Sequence, residues 1–272
     1  MNAPIGVFDS GIGGLSVLKA LRAALPHEDF IYLADSGHAP YGERDTAHVL
    51  ARSRVVTQYL VQLGIKALVV ACNTATAAAI DLLRGEQPHL PIIGVEPALK
   101  PAVALSKTGR IGVMATRSTL ASARFQTLLA AHAGGAEFVL QPCDGLADAI
   151  ERISSQADAT KLIAACAINT GAMGLFGTQP GNIDTLVLGC THYPFVSEHL
   201  QALVGVDVML VENGEAVAQQ TLRLLCAAAD TAGPAANGPG AISLLTTGDA
   251  RTLKVAAARW LALSEPVDAL HI

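Results

Sequence analysis

Leu68-Val69-Val70-Ala71-Cys72-Asn73-Thr74-Ala75 and Leu186-Val187-Leu188-Gly189-Cys190-Thr191-His192-Tyr193 are the two stretches whose reading decides the fold. Each is a short run of Val and Leu that ends at a small residue and passes into a cysteine with polar neighbours. An unbroken apolar run of this length fits a strand buried on both faces of a parallel sheet. The polar cluster then falls at the strand's carboxyl end, where open α/β sheets bind their ligands. Asn73-Thr74-Ala75-Thr76 is a good helix start, so the Cys72 thiol is expected near the positive end of a helix dipole. Such a placement lowers a cysteine pKa. Most cytosolic thiols are inert core residues, and Cys143, Cys166 and Cys226 are read that way. The repeated setting separates Cys72 and Cys190 from them.

The chain of 272 residues is long enough for one large domain or two ordinary ones. Hydrophobic residues make up 51%, yet no apolar run approaches the roughly 18 residues of a membrane span. Met1-Asn2-Ala3-Pro4-Ile5 shows neither the basic nor the long apolar region of a secretory leader. Five cysteines without close pairs argue against a disulfide framework. These features predict a soluble, cytoplasmic protein. A net charge of −5 gives no basic footprint for nucleic acid, so a small-molecule partner is favoured over a polyanion.

Outward from the two stretches, Ile5 to Phe8 predicts a first buried strand, followed by Asp9-Ser10-Gly11-Ile12-Gly13-Gly14 and a helix from about Leu15. Ser16 stands where a dinucleotide loop has its third glycine, and no Gly-Lys-Ser/Thr follows. The turn fits either a ligand site built on Asp9 and backbone N–H groups or a tight strand–helix connection. Phe30 to Asp35 predicts a second strand running into Pro40-Tyr41-Gly42, a turn with Tyr41 at its tip, either covering a ligand or packed on the surface. A helix over about 46–63 leads to the Cys72 strand, Leu90 to Val95 supplies another, and Glu96-Pro97 is a natural breakpoint.

Beyond that point the plan restarts. Ile111-Gly112-Val113 echoes Ile5-Gly6-Val7 at an offset of 106 residues, and Cys190 follows Cys72 at an offset of 118. Two similar offsets in the same order predict two related α/β halves. Strands are expected at 138–141, 183–188 and 206–211, with helices at 144–151, 160–173 and 215–228. A small-residue loop from Asp230 to Gly240 precedes a last strand at 242–246. The closing strands are expected to rejoin the first sheet. The predicted domains are therefore 1–97 with 207–272, and 98–206.

Two thiols presented alike by two halves suit inversion of a carbon centre, in which one group takes a proton from one face and another returns a proton to the opposite face. An unperturbed thiol is only a few per cent ionised at neutral pH, so each needs help. Asp9 and His192 are the candidate helpers, one at each strand end, and His192 also fits a structural histidine. A pyridoxal cofactor requires a Schiff-base lysine, and of the six lysines only Lys100 stays open for that role. Zinc on Cys72, Cys190 and His192 lacks a close-spaced ligand pair. A Cys–His hydrolase or a thiol-redox centre would use one thiol as nucleophile.

Asp9-Ser10-Gly11-Ile12-Gly13-Gly14, Pro40-Tyr41-Gly42, Cys72-Asn73-Thr74-Ala75 and Gly189-Cys190-Thr191-His192-Tyr193-Pro194 together resemble the motifs of the bacterial glutamate racemases, in order and spacing. The resemblance covers nearly the whole chain. It implies two pseudo-twofold-related, doubly wound α/β domains with largely parallel sheets and an active site in the cleft between them. The implied activity is cofactor-independent, metal-free interconversion of L- and D-glutamate for peptidoglycan synthesis, by a homodimer. Cys72 would deprotonate D-glutamate with help from Asp9, and Cys190 would deprotonate L-glutamate with help from His192. Asp9 and Ser10 would hold the amino group, and Asn73, Thr74 and Thr191 the α-carboxylate. The side-chain carboxylate would lie near Pro40, Tyr41 and Gly42, with Thr116, Thr119 and Glu151 as further site residues. Asp35-Ser36-Gly37-His38-Ala39 departs from the common Asp-Thr-Ala-Arg pattern beside that pocket, and Cys143-Asp144-Gly145 and Glu212-Asn213-Gly214 depart elsewhere. The same scaffold also serves aspartate and hydantoin racemases, and a binding protein that kept the cleft is a further alternative.

Overall fold

The computed structural model describes residues 3–153, 156–228 and 238–272. Its strands are β1 (Ile5–Asp9), β2 (Phe30–Ala34), β3 (Ala67–Val70), β4 (Ile92–Gly94), β5 (Arg110–Ala115), β6 (Glu137–Pro142), β7 (Thr185–Leu188), β8 (Met209–Val211), β9 (Ile242–Thr246) and β10 (Val267–Ala269). The helices are α1 (Leu15–Ala24), α2 (Thr46–Gln62), α3 (Asn73–Glu86), α4 (Leu99–Leu105), α5 (Arg117–Ala121), α6 (Ala123–His132), α7 (Leu146–Glu151), α8 (Gln156–Gly171), α9 (Ser197–Val204), α10 (Gly214–Ala228) and α11 (Ala250–Leu261). The chain forms two compact units, Met1–Val95 with Gly214–Ile272, and Glu96–Asn213.

The first unit holds a parallel sheet in the order β10-β9-β2-β1-β3-β4. The second holds a parallel sheet in the order β6-β5-β7-β8. Every residue of β3 and β7 is buried, as an apolar run covered on both faces requires. The order β2-β1-β3-β4 recurs as β6-β5-β7-β8, and the registers recur with it. Ile5 lies beside Phe30 and Ala67, and Ile111 lies beside Phe138 and Thr185. Leu68 pairs with Ile92 as Leu186 pairs with Leu210. The two related halves expected from the offsets of 106 and 118 are thus present residue by residue in the sheets.

Differences from the sequence expectations have local causes. The stretch 206–211 does not rejoin the first sheet: β8 pairs with β7, and residues 207–213 belong to the second unit. Only β9 and β10 return. β10 was not expected, because Val267-Asp268-Ala269 is a short, largely exposed edge with no apolar run to mark it. The loop expected at 230–240 lies, through residue 237, outside the described residues. Cys226 is exposed on α10 rather than buried, whereas Cys143 and Cys166 are in the core.

At the amino end of β7, Asp184 is buried and ties down the turn before β5. It accepts from the Ser106 hydroxyl (2.6 Å) and from the backbone N–H groups of Lys107 (2.6 Å) and Thr108 (2.8 Å). Burial alone would raise its pKa, but these hydrogen bonds outweigh it and hold the carboxyl below the usual range. A carboxylate with a depressed folded-state pKa stabilises the fold above about pH 4, and that contribution fades as pH falls through the folded-state value. Asp184→Ala is expected to destabilise the second unit by roughly 2–3 kcal/mol at neutral pH, because four donors, the Thr185 hydroxyl included, lose their acceptor. Calorimetry at pH 7 should show a melting temperature lower by several degrees, and the gap to the parent should narrow in acid. An unchanged melting temperature contradicts the assignment.

Candidate functional site

In the first unit, β1 delivers Asp9 and Ser10 to the carboxyl edge of the sheet, both buried. Asp9 Oδ2 accepts from the N–H groups of Gly11 (3.2 Å) and Gly14 (2.8 Å), and the Tyr32 hydroxyl donates to the Gly11 carbonyl (2.7 Å). A Cβ on Gly14 would stand 2.7 Å from the Asp9 Cβ, so close approach requires glycine there. The turn is a tight strand–helix connection whose Gly11 and Gly14 donors hold Asp9 at the strand end, so the two readings of this turn are compatible.

β3, next to β1, ends just before Cys72. Cys72 is the N-cap of α3, and its sulfur accepts from the Ala75 N–H at 3.4 Å. The helix start expected from Asn73-Thr74-Ala75 is present, and its partial positive charge favours a negative sulfur. The Ser10 hydroxyl stands 3.5 Å from the same sulfur. Asn73 and Thr74 are buried beside it. Thr76, which carried no expectation, accepts from the Val95 N–H (3.1 Å) and donates to the Val70 carbonyl (3.2 Å), linking the ends of β3 and β4.

Pro40-Tyr41-Gly42 follows β2, with a cis Ala39–Pro40 bond and a 3-10 turn over Tyr41–Glu43. Tyr41 is not at a tip or on the surface. Its side chain is buried to 1% exposure, packs edge-on against Phe8, and donates its hydroxyl to Asp35 Oδ2 at 2.5 Å. Burial and the neighbouring Asp35 push its phenol pKa far up, so it stays protonated and donating. The Tyr41 ring is therefore not what this turn offers to a ligand; its backbone and the part-buried Pro40 and Gly42 are.

In the second unit, β7 ends before Gly189, whose N–H donates to the Met114 carbonyl at 2.7 Å; a Cβ there would meet that oxygen at 2.9 Å. Cys190 is 7% exposed, with its sulfur 3.6 Å from His192 Nδ1. His192 Nε2 in turn lies 2.7 Å from Glu151 Oε1, at the end of α7. Burial would lower the His192 pKa, but its contacts with Cys190 and Glu151 prevail and raise it well above the ordinary imidazole value. His192 is therefore a histidine held by a thiol on one nitrogen and a carboxylate on the other, not a bystander of the core. Thr191 is buried next to Cys190. Thr116 caps α5, accepting from the Thr119 N–H (3.2 Å) and donating to the Thr119 hydroxyl (2.9 Å). Burial pushes the thiols of Cys143 and Cys166 up to about 12 and about 11.

The two units thus present one thiol each from equivalent strands, with unlike companions: a helix start and a hydroxyl at Cys72, an imidazole–carboxylate pair at Cys190. Sequence reasoning missed Asp35, which accepts from Tyr41, and Arg52 and Thr247, which donate to Asp35. The one available signal was an acid closing an apolar strand at Asp35. Among the described residues, no group of three or more His, Cys, Asp or Glu side chains is placed to hold a metal ion. No described helix is long and apolar enough to cross a membrane.

The family model "Asp/Glu/Hydantoin racemase" matches residues 5–221. A glutamate racemase of Herpetosiphon aurantiacus is 47% identical over 246 residues, 90% of this chain and 93% of the relative. The solved glutamate racemase isoform RacE1 of Bacillus anthracis superposes with a TM-score of 0.86 at 30% identity, covering 100% of this chain and 98% of that one. The Escherichia coli glutamate racemase, solved with L-glutamate and the activator UDP-MurNAc-ala, gives 0.80 at 30% identity, covering 99% and 98%.

Proposed function

The chain belongs to the Asp/Glu/Hydantoin racemase family, and from that premise we propose that it is a glutamate racemase working without a cofactor through two opposed thiols. The observation that carries this reading is the pair Cys72 and Cys190, each just past the end of a topologically equivalent strand and each with its own polar companions. Relatives at 47% identity over most of the chain support glutamate as the substrate.

In the direction from L- to D-glutamate, Cys190 Sγ takes the α-hydrogen as a proton and Cys72 Sγ gives a proton to the opposite face of the carbanion. The reverse reaction exchanges the two roles. The imidazole of His192, held by Glu151, takes up and returns the Cys190 proton. Asp9 and Ser10 serve Cys72 and receive the substrate's ammonium group. Asn73, Thr74 and Thr191 receive the α-carboxylate, and Thr116 and Thr119 complete the second unit's part of the site. The Pro40–Gly42 turn receives the side-chain carboxylate through its backbone. The product D-glutamate would serve peptidoglycan synthesis in the cytoplasm, and the enzyme would act as a homodimer with no nucleic-acid partner.

The test is incubation of the purified protein with L-glutamate in deuterium oxide. Optical rotation should decay to zero while the α-position gains deuterium in both enantiomers. Rotation that stays constant at high enzyme concentration overturns the reading.

A further inference from the structure

We infer that Asp35 is a positioning residue that fixes the Pro40–Gly42 turn through the Tyr41 hydroxyl, and thereby sets the grip on the substrate's side-chain carboxylate. This rests on the racemase reading above and extends it to residues for which the site chemistry gave no role.

Asp35 follows β2 and is fully buried. Its carboxylate joins three separate segments. Tyr41 of the turn donates to Oδ2 at 2.5 Å. Arg52 of α2 donates from Nε to Oδ2 (3.0 Å) and from Nη2 to Oδ1 (2.9 Å), a two-pronged pairing. Thr247, just after β9, donates from its hydroxyl to Oδ1 at 2.8 Å. Buried carboxylates are tolerated only with such charge and hydrogen-bond compensation. The segment between Asp35 and the turn is pinned too. The Gly37 N–H donates to Thr247 Oγ1 at 3.1 Å, and a Cβ on Gly37 would stand 2.5 Å from the Thr247 carbonyl oxygen. Rigid, remote support of this kind is how a small turn holds a ligand group in one geometry.

The consequence separates binding from chemistry. Tyr41 shares a core cluster with Cys72, but these hydrogen bonds run among Asp35, Tyr41, Arg52 and Thr247 and reach neither cysteine, so loosening the turn weakens the hold on the distal carboxylate more than it disturbs proton transfer. Tyr41→Phe, which removes one oxygen atom, is expected to raise KM for both glutamate enantiomers about ten-fold with kcat within about three-fold. The preference for glutamate over aspartate, which is shorter by one methylene, should fall by a similar factor. A merely structural role would lower the melting temperature and leave both KM and the preference alone. That result, or a kcat loss at constant KM, overturns the inference. If Tyr41→Phe does not fold, Thr247→Val decides. It removes the Thr247 hydrogen bonds to Asp35 and from Gly37 while leaving every residue of the turn in place, and KM should rise at least about two-fold; an unmoved KM overturns the inference. Absence of racemisation in the parent enzyme would instead sink the racemase reading itself.

Discussion

Replacing either Cys72 or Cys190 by serine is expected to lower kcat/KM for racemisation by about 10²–10⁴-fold, the usual range for loss of a positioned acid or base. A serine hydroxyl has the geometry of the thiol but is far less ready to give up its proton. The loss must be equal in both directions. The enantiomers have the same free energy, so the ratio of forward to reverse kcat/KM is fixed at one whatever the side chain. What distinguishes the variants is exchange. In deuterium oxide the surviving thiol still takes and returns the α-hydrogen of the enantiomer it faces. Cys190→Ser should deuterate D-glutamate slowly without inverting it, and Cys72→Ser should do the same to L-glutamate. Mass spectrometry after chiral separation reads both outcomes. Near-normal turnover in either variant, or deuterium in the opposite enantiomer, defeats the two-base assignment.

The strands that carry these thiols were legible because burial on both faces writes itself as an unbroken apolar run, as in Leu68-Val69-Val70 and Leu186-Val187-Leu188. The internal repeat was legible for the same reason, since equivalent core positions in β1 and β5 accept the same Ile-Gly-Val. Sheet membership of the shorter strands was not. β8 and β10 have three residues each, and nothing in Met209-Leu210-Val211 names the neighbour with which it pairs. The helix start at Cys72 was readable from its own residues. The Tyr41 environment was not, because its acceptor Asp35 is held by Arg52 and Thr247 from segments up to 212 residues away that meet only in the folded unit. Turn composition suggested an exposed tip, and a buried carboxylate reversed it. Similarly, the Glu151–His192 contact spans 41 residues, and only the resemblance, not the local sequence, pointed to Glu151.

Glu151→Gln is expected to move the pH profile, and the direction follows from the forces on His192. The ring is buried, which by itself favours the neutral form, and its contacts with Cys190 and Glu151 push the pKa up and favour the protonated form. Glutamine retains an oxygen that can accept from Nε2 but carries no charge, so one of the two raising influences is lost. The His192 pKa must then fall. The imidazolium returns the proton to Cys190, so the alkaline limb of kcat/KM moves to lower pH in this variant. His192→Asn removes the titrating group altogether. It should lower kcat/KM by about 10²-fold and abolish that limb, leaving a limb set by the other groups of the site. Rate profiles from pH 6 to pH 10 in both directions discriminate these cases. A Glu151→Gln profile superimposable on the parent's, or displaced to higher pH, shows that the carboxylate merely packs against the ring and takes no part in holding its proton.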